Sequence, residues 1–267
     1  MEQSQLLNEL ERDFRLVDPN FEVLFKDKSP FMKVLGVLTA PFNPEFMTRY
    51  ITTIGSKVYF PDEEHYLRGV GSPSVLCHEF VHIMDGMRHG WRFKFSYLMP
   101  QLLGLLPLVA LLIVPWGALS ALLFLLAYAT GALVCKANRV AGLVVLGVLL
   151  VAVLGLTILW TGWFSTLLLG ALVGFAPWPS PWRTHWELRG YAMTIAYRWW
   201  TRKKVSDLDW LGVQFTGPYY WFMSWQPKKI REKLQDLVVQ VKTGELEMQQ
   251  PYARVRDLLY RLDLLRP

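Results

Sequence analysis

The spacing of apolar and polar positions divides the chain into three stretches. In the first, Leu6, Leu7, Leu10 and Phe14 recur at helical spacing among charged residues, so the N-terminal segment reads as an amphipathic helix. Residues 21–70 then carry short β-like runs at 21–25, 32–38 and 50–60. The last is β-branched and aromatic with Gly55 at its middle, the pattern of a hairpin, and Pro61-Asp62-Glu63-Glu64 ends it. A helix follows from about residue 72, with Ser72 or Ser74 as its predicted cap and Pro73 in its first turn. The second stretch is apolar throughout. No charged residue occurs from Phe95 to Cys135 or from Val140 to Trp182, and only Lys136-Ala137-Asn138-Arg139 separates the two runs. In the third, Trp182 to Arg202 is helix-like and rich in Trp, and 227–241 and 251–266 read as amphipathic helices.

Each apolar run is about twice the ~18 residues a membrane span needs. Pro115-Trp116-Gly117 interrupts the first and Thr161-Gly162-Trp163 the second. The predicted parse is two helical hairpins, with spans at about 95–114, 118–135, 140–160 and 163–177; the last is short enough to be re-entrant or interfacial. Four spans put Lys136 and Arg139 on the same side as Arg88, Arg92, Lys94, Arg183 and Arg189, and leave the opposite turns uncharged. The positive-inside rule makes that side the cytoplasm and places both termini there. A two-span parse requires over-long kinked helices and moves Lys136 and Arg139 across the membrane. Either count is even, so the pieces before and after the insert share one face. The N-terminal segment has no continuous apolar stretch of the signal-peptide kind, so the first span is expected to direct insertion. The expected organisation is 1–94, a transmembrane insert at 95–177, and 178–267.

Composition supports a multi-pass membrane protein with the lipid bilayer as its partner: of 267 residues, 52% are hydrophobic and only 19% charged. Trp178, Trp182, Trp186, Trp199 and Trp200 suit a helix at headgroup level. The net charge of +6 is modest, and Arg202-Lys203-Lys204 is better placed to face lipid than nucleic acid. The two cysteines, Cys77 and Cys135, give no disulfide framework.

The chemistry is concentrated in His78-Glu79-Phe80-Val81-His82, an HExxH motif. On a helix the two imidazoles, four residues apart, leave from one face and can share a zinc ion, while Glu79 can take the proton of its water. A catalytic zinc needs a third protein ligand. Glu187 follows the insert on the predicted Trp182–Arg202 helix, on the same side as the motif by parity, with Gly190 one turn on to allow close helix approach. Asp85 lies too far along the motif helix to ligate with His78 and suits a neighbouring acceptor better. His89 does not match the extended motif, which needs Gly and His where this chain has Asp85 and Arg88. His185 points elsewhere on a regular helix and suits substrate binding or support of a ligand. Tyr191, one turn beyond Glu187, is the first candidate to stabilise an oxyanion; Tyr219 and Tyr220, after a Gly-Pro turn, are the second. The hairpin ahead of the motif helix can offer its edge to an extended peptide.

An HExxH helix, membrane spans and then a Glu on a following helix resemble the membrane-embedded gluzincin metallopeptidases, the group of the prenyl-protein and heat-shock membrane proteases. The resemblance covers about a third of the chain. It implies zinc held by His78, His82 and Glu187, with Glu79 as general base, in a mainly α membrane protein with a small α+β zincin-like metallopeptidase domain. The chain departs from that group at Val81, where Gly is usual, and at Gly190-Tyr191, where an Ala-Asp pair follows the Glu. The expected function is a zinc endopeptidase acting on a peptide or membrane-anchored protein at the cytoplasmic face. Two rivals stand beside it: a zinc-stabilised scaffold or pore protein, and an intramembrane site-two-type protease. The absence of Asp from both apolar runs and the charges that follow the motif count against the latter.

Overall fold

The computed structural model describes residues 1–40, 43–99, 117–171, 179–205, 207–217 and 222–266. Its elements, in order, are α1 (Gln3–Val17), β1 (Glu22–Phe25), α2 (Pro30–Thr39), β2 (Thr52–Ile54), β3 (Lys57–Phe60), α3 (Glu63–Arg68), α4 (Ser72–His89), α5 (Trp91–Leu98), α6 (Gly117–Ala137), α7 (Arg139–Ala171), α8 (Pro181–Arg202), α9 (Leu208–Thr216), α10 (Pro227–Lys242), a 3-10 turn (Glu245–Met248) and α11 (Tyr252–Arg261). The chain forms two compact units, one of Met1–Ser29, Tyr50–Tyr97 and Ser180–Pro267, the other of Pro30–Arg49 and Leu98–Pro179.

The first unit is built around α4, which packs against α8. The apolar stripe of α1 is buried as its spacing requires, and Phe14 stacks on Phe80 of α4 with ring centroids 3.8 Å apart. The three-stranded sheet has the order β1-β3-β2, with β1 parallel to β3 and β2 antiparallel to it. The predicted hairpin is thus present, turning at Gly55 with φ 62°, and β2 is an edge of the sheet. The Asp62 carboxylate caps α3 by accepting from the His65 amide at 2.6 Å. Ser180 caps α8, its hydroxyl accepting from the Arg183 amide at 3.2 Å, and Pro181 opens that helix. Near the C-terminus, Arg254 and Arg261 both reach the buried Asp13 carboxylate, at 2.6 and 3.0 Å, and tie α11 to α1.

The second unit contains α2, α6 and α7. The last two fold back on each other at Asn138, between the basic residues expected to separate two spans. Gly142 faces the backbone of Cys135 so closely that a Cβ there would overlap it, the small-residue contact typical of tightly paired apolar helices. Both helices are apolar all round and leave residues such as Leu126, Leu133, Val148 and Leu159 exposed. Tyr128 on α6 donates to the Leu38 carbonyl of α2 at 2.5 Å.

Several expectations change. Residues 32–38 form helix α2 and not a strand; an apolar run this short fits either period, and Pro30 starts it as a helix. Among the described residues, only Val140–Leu159 is long and apolar enough to cross a membrane. The apolar part of α6, Leu122–Cys135, is shorter than a span. Helix α7 runs unbroken through Thr161-Gly162-Trp163, because a helical Gly costs only about 1 kcal/mol whereas a break frees several backbone groups. The expected fourth span therefore does not begin as a separate element at 163. Residues 100–116, which hold most of the first expected span and Pro115-Trp116, lie outside the described residues, as do 172–178 with Trp178. Among the described residues, α6 and α7 form one paired set of apolar helices. Of the Trp residues of α8, Trp200 is 4% exposed and donates to Glu247 at 3.1 Å, Trp186 donates to Ser96 at 2.9 Å, and Trp182 is exposed.

Candidate metal centre

Helix α4 begins at Gly71 in the left-handed region, with φ 108°, and no side chain caps it. Neither expected serine does so: Ser72 donates back to the His65 and Gly69 carbonyls, both at 3.0 Å, and Ser74 is buried with no hydrogen-bond partner among the described residues. Two turns on, His78, Glu79 and His82 are all buried. Gly90, at φ 56° and ψ −128°, then breaks the helix with a backbone that side-chain-bearing residues avoid, and α5 starts in a new direction.

His78, His82 and Glu187 converge. The two Nε2 atoms are 3.1 Å apart, and Glu187 Oε2 lies 3.5 Å from His78 Nε2 and 3.8 Å from His82 Nε2. Ligand atoms held at ~2.1 Å from one tetrahedral ion stand about 3.4 Å from each other, so these separations bracket what zinc requires. Two imidazoles and one carboxylate form the donor set of a catalytic site with a position left for water. The separation of His78 from Glu187 in the sequence is overcome at Gly190, where a Cβ would come within 2.5 Å of His78 Nε2. Only a residue without a side chain lets α8 approach α4 this closely.

Neighbouring groups orient the three. His78 Nδ1 lies 3.3 Å from Thr194 Oγ1, which leaves Nε2 free to face Glu187. His82 Nδ1 is buried with no hydrogen-bond partner among the described residues. Burial alone would raise the Glu187 pKa, but His82 and His78 outweigh it and hold the carboxyl well below its ordinary value. Burial likewise pulls His82 down, and Glu187, Glu79 and Asp85 more than reverse it. Glu79 accepts from the Thr53 hydroxyl of the edge strand β2 at 2.7 Å.

Asp85 is no part of the triad. It is 1% exposed and forms a two-point pair with Arg189, both contacts at 2.8 Å, which fixes α4 against α8 one turn beyond the ligands. Arg189 is thus spent on Asp85 and Arg183 donates to the Tyr97 carbonyl at 3.1 Å, so Glu187 is not a surface carboxylate paired with either. His89 and His185 pack against the Trp186 ring, at centroid distances of 5.2 and 4.8 Å. Tyr191 is buried, edge-on to His78 at 4.8 Å and against Phe215 at 5.2 Å. Tyr219 and Tyr220 lie outside the described residues.

Tyr97, Thr53, Thr194 and Lys26 are missed by sequence reasoning. Tyr97 sits at the start of an apolar run and reads as the first turn of a span. Instead α5 carries it over the site, where its hydroxyl donates to Glu187 Oε1 and its ring stands edge-on to His82 at 5.8 Å. Burial and then the Glu187 charge push its pKa well above the ordinary value, so the phenol stays a donor. Tyr97→Phe is expected to keep the fold and weaken zinc binding roughly tenfold, in line with other losses of support to a ligand; competition with a chelating dye, with circular dichroism alongside, measures both. Only Thr194 carried a signal, being two turns beyond Glu187 on the same helix face.

Lys26 follows β1, is wholly buried, and has its pKa lowered to about 7 by burial, against a smaller upward pull from Glu79. The folded state therefore binds this proton less well than the unfolded chain, and its stability is expected to rise with pH above about 7. The slope approaches ~1.4 kcal/mol per unit up to about pH 8.5. Above that, the Cys77 thiol, kept protonated by burial, works in the opposite direction. Melting curves at pH 7 and 8.5 should show this rise in the wild type and a flattened one in Lys26→Met.

Comparison of the chain with protein-family models, with curated proteins and with solved structures finds no match.

Proposed function

We propose that the chain is a zinc-dependent endopeptidase of the gluzincin kind. The observation that carries this reading is the convergence of His78, His82 and Glu187 with Glu79 beside them. His78, His82 and Glu187 would hold a zinc ion, which would supply an acidified water and a Lewis acid for the scissile carbonyl. Glu79 would serve as general base and then as proton donor to the leaving amine. Thr53 holds one carboxylate oxygen of Glu79 and so aims the other. Because Thr53 belongs to β2, an extended peptide pairing with the edge of that strand is drawn alongside the base. Tyr191 is assigned to the oxyanion on the strength of its place against His78. The substrate is a peptide segment at a membrane surface, and Val140–Leu159 supplies the anchor. A scaffold role is disfavoured, since a structural zinc site is closed by four ligands and has no use for a positioned carboxylate such as Glu79.

The test is hydrolysis of labelled casein, an unstructured substrate, by the full chain in maltoside detergent. Cleavage is expected to stop on chelation and return with zinc. Protein with zinc verified at one equivalent that leaves casein and a mixed peptide library intact would overturn the endopeptidase reading in favour of a scaffold.

A further inference from the structure

Residues 30–49 leave the first unit after β1 and return ahead of β2. Both strands pair with β3 in one sheet, so the excursion begins and ends on the same side of any bilayer. It cannot be a single span. Its helix, α2, has 10 residues and is therefore about 15 Å long, half of the ~30 Å of hydrocarbon. An apolar helix of this length is either a core element or one that dips into a membrane. Exposure rules out the former: Phe31, Val34 and Leu38 share one helix face and are 59%, 61% and 43% exposed. Another face buries Met32, and α2 packs on α6.

At the C-terminal end of α2 the backbone is fully paired. The last four carbonyls of a helix have no partner within it, and at a wet surface water ordinarily takes them. Here the protein supplies a donor to each. The Thr39 hydroxyl lies 3.4 Å from the Gly36 carbonyl, and the Ala40 amide donates to that of Val37 at 3.2 Å. The Tyr128 hydroxyl of α6 donates to Leu38 at 2.5 Å, and the Asn43 amide to Thr39 at 2.7 Å. Complete pairing at the end of an exposed helix is what a solvent without hydrogen bonds demands. The returning chain lies close by, since a Cβ on Gly36 would come within 2.6 Å of the Met47 side chain. Charge is confined to the two ends. No charged residue occurs from Val34 to Pro44, while Lys33 lies in the first turn, within reach of headgroups, and Glu45 pairs with Arg49 at 3.1 Å. We infer that residues 30–49 form a re-entrant element, with α2 sunk in one leaflet and the face of Phe31, Val34 and Leu38 covered by lipid acyl chains. This rests on the membrane anchoring proposed for Val140–Leu159 and is independent of the peptidase reading.

Nitroxide labels on single added cysteines test it, in the full chain reconstituted into phosphatidylcholine vesicles. Phe31→Cys, Val34→Cys and Leu38→Cys probe α2, Val148→Cys on an exposed position of α7 reports the anchor, and Tyr260→Cys on exposed α11 reports water. Cys77 and Cys135 are buried, and the unsubstituted chain is the labelling blank. Collisions with oxygen, which concentrates in hydrocarbon, and with a polar nickel chelate, which hydrocarbon excludes, tell lipid from water and from protein. The oxygen-to-nickel ratio on α2 is expected to approach that of Val148 and to exceed that of Tyr260 roughly tenfold or more, given the cost of moving a polar solute into an apolar medium. It should rise from Phe31 through Val34 to Leu38 as the helix descends. Nickel access at Val34 and Leu38 equal to that at Tyr260 would put α2 in water and overturn the inference. Low collision rates with both reagents would do the same by revealing a protein cover, and equal ratios at all three positions by laying α2 flat on the surface. A lipid signal at Val148 alone strikes the re-entrant element and spares the anchor, whereas a lipid signal at no position removes both.

Discussion

Glu79→Gln is expected to retain zinc at one equivalent while hydrolysis falls by roughly 10²- to 10⁴-fold, the usual contribution of a positioned general base. The substitution is nearly isosteric. The amide oxygen can still accept from Thr53, which reaches Glu79 at 2.7 Å, so the edge strand and α4 should keep their places. What is lost is the capacity to take a proton. The loss should appear in kcat with little change in KM, because Glu79 is not asked to bind the peptide. Zinc content by mass spectrometry and casein turnover on the same preparation make the comparison. Unchanged turnover with zinc bound would rule out the assigned base and, with it, the peptidase mechanism.

Gly190→Ala should have the second large effect, and its sign is decided by two opposing magnitudes. Alanine in a helix interior is favoured over glycine by about 1 kcal/mol. Against this, its Cβ would stand 2.5 to 2.8 Å from three atoms of the His78 ring, where ordinary contact begins near 3.4 Å. Overpacking of this kind costs about 1–3 kcal/mol, and the ring that must yield belongs to a proposed metal ligand. The clash wins. The zinc-free protein should melt lower than wild type, and zinc affinity should fall by at least tenfold as His78 is pushed from the position where its Nε2 meets His82 and Glu187. Chelator competition and thermal melting test the two parts separately. An alanine variant that binds zinc as wild type does would mean α8 can move off α4 without cost.

The grouping of His78, His82 and Glu187 was legible because its signals are local. Two histidines four apart need only a helix to converge, and Glu187 with Gly190 needs only a second helix with a flat place on it. The residues around them were not legible, since nothing near Tyr97, Thr53 or Lys26 in the sequence distinguishes them from span, strand and surface. Their roles arise when α5 turns at Gly90 and when β2 is laid beside α4. The misreadings of the fold have the same root. Residues 32–38 suit both periods, and the glycine of Thr161-Gly162-Trp163 is too weak a breaker to end an apolar helix. Trp200 belongs to a residue type that serves interfaces and cores alike, and only tertiary packing sorted it into the latter.

The first unit is interrupted twice and yet closes on itself. Its chain departs after Tyr97 and resumes at Ser180, and the Arg183 side chain, one turn into α8, reaches the Tyr97 carbonyl at 3.1 Å. Exit and return are therefore neighbours, within the ~17 Å that about five extended residues span. Residues 30–49 leave and rejoin in the same manner, between two strands that flank β3. Two short bypasses are therefore expected to leave His78, His82, Glu187, Glu79 and the edge strand β2 together in a far less apolar chain.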